Sequence, residues 1–172
     1  LEKDRMKPLI TLALALLVFL TAPAQVADTT KAPYQRFSGY PPIELLLGDS
    51  ASKYTKGDIP RNKPVLLMLF SPDCSHCQHT ASELVKHKEE FRDIQLIMVT
   101  TKPVSEMNAF YKKYGLDALP GLVMGRDQIY LLPSWFRIRN FPYQAFYNKK
   151  GKLITTFEGS MTVRKMLDTF RD

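Results

Sequence analysis

The chain holds two cysteines, and they stand together as Cys74-Ser75-His76-Cys77. Thiols at this spacing lie within one turn of a helix, near enough to close a disulfide with each other. Thiol–disulfide exchange needs a thiolate that attacks one sulfur of a disulfide through a mixed-disulfide intermediate. The free N–H groups and the positive dipole end of a helix N-terminus favour such a thiolate. Cys74 meets the helix start most directly and is the expected nucleophile. Cys77, one turn further in, is the expected resolving thiol. Two neighbours pull against each other: a protonated His76 favours a thiolate, and the negative charge of Asp73 disfavours it.

The same segment has a second reading. Cys74, His76, Cys77 and His79 supply two thiolates and two imidazoles, donors suited to copper or zinc transfer. A c-type haem attachment is excluded, because it needs histidine directly after the second cysteine and Gln78 stands there. A purely structural bridge would close a tiny loop, and short loops stabilise least.

Such a pair needs a rigid strand feeding the helix. Val65 to Phe70 reads VLLMLF between Pro64 and Pro72, the pattern of a strand buried on both faces. Cys74 to Glu90 reads as the helix and Ile94 to Thr100 as a second buried strand. Together they form a βαβ unit with parallel strands. Ile43 to Leu47 reads as an edge strand after Pro41-Pro42, and Gly48 to Lys63 as a turn-rich surface crossing. Ser105 to Tyr114 reads as a helix capped by Ser105 and ended by Gly115. Leu116 to Gly125 is broken by Pro120, Gly121 and Gly125, and Asp127 to Phe136 holds a short helix despite Pro133. Tyr143 to Tyr147 and Lys152 to Phe157 form a hairpin that turns at Asn148 to Gly151. Thr162 to Phe170 closes the fold as a helix with Val163, Met166, Leu167 and Phe170 on one face. The fold class is α/β, with a mixed central sheet flanked by helices.

With these elements in this order, the chain resembles the thioredoxin superfamily, and within it the exported TlpA/ResA-like thiol–disulfide oxidoreductases of bacteria. The resemblance spans residues 40–172 and rests on VLLMLF, SPDCSHCQ and NFPYQAFYNKKGKLITTFEG. It implies a thioredoxin-like fold and an enzyme whose redox cofactor is its own dithiol, with no bound small molecule and no metal. It implies that Pro142 is a cis-proline lying against the cysteine pair and presenting the partner polypeptide, and that Gly159 ends the hairpin. It also implies cysteine-containing exported proteins as partners, a membrane-embedded electron donor, and reduction as the default direction.

Several positions depart from the pattern. Met68 stands where plain thioredoxins bury an acid, and Asp73 stands where the family often has tryptophan. Strong oxidants of the superfamily share a histidine at the place of His76, but with proline before it rather than Ser75. Thr101 to Trp135 is longer than the matching connection of plain thioredoxin, an expected insertion that shapes partner choice. Arg137 and Arg139 approach the proline loop, either as simple surface charge or as contacts to an acidic partner.

At 172 residues, 45% hydrophobic and 24% charged, the composition is that of one globular domain. Leu9 to Leu20 carries no charge, follows Lys7 and precedes Ala22-Pro23-Ala24. That is the pattern of a secretory signal peptide, too short to span a bilayer. Residues 1–24 are therefore expected to be a signal peptide cleaved after Ala24, residues 25–39 a flexible lead-in, and residues 40–172 the thioredoxin-like domain. The pattern implies export without a stable membrane anchor, and the resemblance to exported bacterial proteins implies a periplasmic location. Three basic and two acidic residues leave with the signal peptide, which lowers the net charge from +7 to +6. Lysines and arginines are dispersed along the chain and form no long basic stripe, and with expected export nucleic acid is not an expected partner.

Overall fold

The computed structural model describes residues 30–171, and the expected signal peptide lies outside them. The sheet is organised around β3 (Val65–Leu69), whose five residues are all buried. It runs parallel to β4 (Gln95–Thr100) and antiparallel to β6 (Tyr143–Tyr147). β6 turns back into the antiparallel β7 (Leu153–Glu158) through a tight turn in which Gly151 takes φ 71°. On the other side of β4 lies the parallel β5 (Val123–Arg126), then the antiparallel β1 (Glu44–Leu47) and β2 (Lys53–Thr55). The order across the seven strands is β2-β1-β5-β4-β3-β6-β7. Five α-helices accompany them among the described residues: α1 (Pro33–Arg36), α2 (Ser75–Lys86), α3 (Val104–Lys113), α4 (Leu131–Phe136) and α5 (Val163–Asp168).

The alternation of side chains along β3 divides the core into two layers. Leu66 and Met68 pack with Cys77, Ala81 and Leu84 of α2, Phe110 of α3 and Met166 of α5. Val65, Leu67 and Leu69 face the opposite layer, with Leu132 and Phe136 of α4 and Tyr143 and Tyr147 of β6. Both faces are therefore dry, and this is why VLLMLF shows no polar alternation. The βαβ unit β3-α2-β4 forms as its spacing implies.

Three local expectations change. β1 is not an edge strand: β2, a three-residue strand inside the turn-rich stretch 48–63, covers its outer side. Three residues are too few to show a period. α3 starts at Val104 with Pro103 at its N-cap and no side-chain cap, so Ser105 lies inside the helix. Gly115 does follow its end, with φ 61°. The broken stretch 116–125 contributes a strand, β5, whose Gly125 lets β1 approach closely: a Cβ there would meet Leu45 Cβ at 2.7 Å. Within the lead-in expected over 25–39, the described residues include an element that the sequence did not announce. Pro33–Arg36 forms a helical turn, Tyr34 lies 5.6 Å from Phe136 and Phe37 stacks 5.8 Å from Trp135, ring centre to ring centre. Aromatic contacts and a proline at the helix start hold this segment, and Lys31 onward belongs to one compact unit.

Candidate active site

Past Leu69 the chain leaves the sheet, and at Cys74 it enters α2. Cys74 is the N-cap, with extended backbone (φ −84°, ψ 117°), and its Sγ accepts the Cys77 N–H at 3.3 Å. A sulfur thus takes the role that a serine or aspartate oxygen plays at other helix starts. Cys74 is half-buried, Cys77 is fully buried, and both are free thiols. The Cys74 thiol also donates to the carbonyl oxygen of Phe141 at 3.7 Å.

Phe141 precedes Pro142, and the peptide bond between them is cis, as the resemblance implied. The end of β7 pins this loop. Gly159 N–H donates to Pro142 O at 2.8 Å, and Gln144 Nε2 donates to Gly159 O at 2.9 Å. The Glu158 carboxylate accepts from Arg139 N–H and from Asn140 Nδ2, both at 3.2 Å. Arg137 and Arg139 are exposed beside the loop and border a cleft of about 440 Å³ that Tyr143, Thr156 and Glu158 also line.

Burial pushes the Cys77 thiol well above the ordinary thiol range, and the neighbouring Cys74 and Asp73 add to the effect. A Ser71 backbone hydrogen bond works in the opposite direction. The Asp73 charge is not left to act alone on Cys74. Ser71 Oγ donates to its carboxylate, and Lys102 Nζ lies 3.4 Å away. The Ser71 hydrogen bond leads in holding the Asp73 carboxyl below the ordinary carboxylate range.

The structure brings Cys74, Cys77 and Pro142 together. His76 and His79 lie exposed on α2, and neither side chain has a hydrogen-bond partner among the described residues. Among the described residues, no three His, Cys, Asp or Glu side chains gather closely enough to hold a metal ion. At the position of the missing acid, Met68 is buried and pairs across the sheet with buried Gln144. Asp127, the buried carboxylate among the described residues, is occupied elsewhere, accepting the Leu132 N–H at 2.8 Å at the start of α4.

A family model described as the thioredoxin-like domain matches residues 59–172, well over half of the chain. The chain belongs to the thioredoxin-like family. Comparison with curated protein sequences gives no match. Among solved structures, this thioredoxin-like chain is similar to a secreted Mycobacterium tuberculosis disulfide oxidoreductase homologous to E. coli DsbE. The two share 17% identity over 74% of this chain and 93% of that one, with a TM-score of 0.63. It is also similar to the exposed lipoprotein thioredoxin Etrx1 of Streptococcus pneumoniae, with 26% identity over 73% and 97% of the two chains and a TM-score of 0.58. StoA from Bacillus subtilis matches with 15% identity over 75% and 97%, also with a TM-score of 0.58. Among the described residues, no helix is long and apolar enough to cross a membrane.

Lys102, Gln144 and Glu158 also shape this site, and sequence reading did not single them out. Lys102 lies 29 positions from Asp73 in sequence, so no local spacing announces the pair. Gln144 lies in a segment read only as a hairpin strand, and its partner Gly159 is 15 positions away.

Proposed function

We propose that this thioredoxin-like protein is a thiol–disulfide oxidoreductase that exchanges disulfides with exported proteins and works as a reductant. The observation that carries the reading is the asymmetry of the two thiols. Cys74 is half-exposed against the carbonyl before a cis-proline, and Cys77 is sealed one turn behind it.

In the forward direction, the Cys74 thiolate attacks one sulfur of a partner disulfide. That S–S bond breaks, and the released partner thiolate takes up a proton. Cys77 then loses its proton and attacks Cys74 Sγ. The mixed disulfide breaks, and the second partner thiolate leaves and is protonated. Two electrons and two protons have moved to the partner, and the chain is left with a Cys74–Cys77 disulfide. The high proton affinity of buried Cys77 keeps it a thiol until the mixed disulfide has formed. Pro142 and the backbone beside it hold the partner chain across Cys74, and His76 adjusts the thiolate when protonated. Continuous turnover needs a donor to reduce the dithiol again, and a membrane-embedded one fits a periplasmic location.

The test is a pair of substitutions with a potential measurement. Cys74→Ala abolishes exchange, whereas Cys77→Ala accumulates mixed disulfides with client proteins. A Cys77→Ala chain that traps nothing refutes the division of labour. An equilibrium potential near that of thioredoxin, about −270 mV, supports a reductant, and one near about −120 mV marks an oxidant.

A further inference from the structure

Basic residues that are scattered in the sequence are gathered by the fold at the end of the sheet away from the dithiol. Lys56 and Arg61 come from the segment between β2 and β3, and Lys149 and Lys150 from the β6–β7 turn. Strand register fixes their place. Leu69, on the way to Cys74, pairs with Tyr143 beside Pro142, whereas Val65 pairs with Tyr147 at the opposite end. There the four side chains border a cleft of about 650 Å³, with Tyr40 on its wall.

All four cations are exposed, and none has an ion-pair partner among the described residues. Other lysines do find partners: Lys53 pairs with Glu44, Lys86 with Glu83 and Lys102 with Asp73. Among the described residues, no acidic residue lines the cleft. The closest acid in sequence, Asp58, is turned back on Thr55, accepting from its N–H at 2.8 Å and its Oγ1 at 2.7 Å. Burial pushes the Tyr40 phenol up to about 12, so it offers a hydroxyl rather than another charge.

Four like charges around one concavity, with no counter-charge, repel each other and attract a multivalent anion. We propose that this cleft binds a phosphate-bearing anion. A carboxylate brings one charge to four cations. A phosphate or pyrophosphate group brings two or more, with oxygens pointing in several directions toward lysine and arginine donors. The cleft volume lies in the range of small-ligand sites. Such a ligand is either a soluble phosphate compound or a lipid whose headgroup is a phosphomonoester, since a phosphodiester brings only one charge. In the latter arrangement the dithiol faces away from the lipid surface. The proposal does not depend on the redox reading.

The full chain is titrated calorimetrically with inorganic pyrophosphate and, as a control, with citrate, at low and high salt. In parallel it is sedimented with phosphatidic acid vesicles or, as a singly charged phosphodiester control, phosphatidylglycerol vesicles. The variants are Lys149→Gln/Lys150→Gln and Lys56→Gln/Arg61→Gln, all at exposed positions. Salt-sensitive pyrophosphate binding that falls about tenfold or more in both variants supports the proposal with a soluble source. Binding confined to phosphatidic acid vesicles, and lost in both variants, supports it with a headgroup source. Citrate binding as tight as pyrophosphate binding, binding untouched by the variants, or binding to neither probe overturns it.

Discussion

Met68→Asp replaces a buried thioether with the kind of group that the resemblance would place at this position in plain thioredoxins. Met68 is 1% exposed and pairs across the sheet with Gln144, which is 0% exposed. Two effects add. Losing the buried methionine costs about 1.5–3 kcal/mol. Keeping the new carboxyl protonated costs more as the pH rises. A fully buried carboxyl is shifted up by about 3–5 units from an unfolded value near 3.9, at about 1.36 kcal/mol per unit. Near pH 7 that second effect reaches about 4 kcal/mol, and the total rivals the whole stability of a typical domain. The sign follows from proton counting. Above about pH 4 the unfolded state releases the proton while the folded state keeps it, so stability falls as pH rises until the folded value is passed. The assay is urea unfolding of the native chain and the variant from pH 4 to pH 8. The gap between them should be smallest at pH 4 and widen by about 1.4 kcal/mol per unit. A gap that does not change with pH refutes the reasoning, because it would mean that water reaches this position.

Three further outcomes are expected. Tyr40, Tyr54 and Tyr143 are each pushed up to about 12 by burial, and Tyr147 and the Cys77 thiol are also raised. The folded state therefore holds protons that the unfolded state loses. Stability of the reduced chain should fall above about pH 8.5 as Cys77 contributes, and more steeply above about pH 10 as the tyrosines join. Thermal melts that stay level through this range would contradict the assigned burial. Lys102→Ala leaves the Asp73 charge less compensated beside Cys74. Alkylation of Cys74 should slow near neutral pH and recover in high salt, and unchanged rates would show that Asp73 does not influence the thiol. Gly125→Ala drives a Cβ to 2.7 Å from Leu45 Cβ and 3.4 Å from the Leu46 carbonyl. A loss of about 1–3 kcal/mol is expected in chemical denaturation, as for other overpacked cores.

The parts of this molecule that could be read from its sequence are those whose cause is local. VLLMLF names a doubly covered strand because burial on both faces removes polar alternation. The thiol spacing in Cys74-Ser75-His76-Cys77 names a pair that can share a helix turn. Pro142 was legible only through the resemblance, since nothing in a lone proline tells which cysteine it will face. What stayed hidden depends on distant partners. The Asp73–Lys102 pair and the Glu158 contacts to Arg139 and Asn140 exist only once strands are in register. β2 and β5 were missed because each is too short to carry a period, and β5 takes its place by pairing with β4 and β1 on either side. The helical turn at Pro33–Arg36 was missed because its hold is aromatic contact with α4, about 100 positions further along.

β2 also bears on how the chain behaves in crowded solution. Without it, Leu45 to Leu47 would present unpaired backbone groups at the margin of the sheet, an invitation to another molecule's strand. β2 occupies that margin and offers only three residues of its own, beginning with exposed Lys53 held by Glu44. A border this short and charged is a poor template for intermolecular pairing, so the protein is protected on that side against sticking to itself at high concentration.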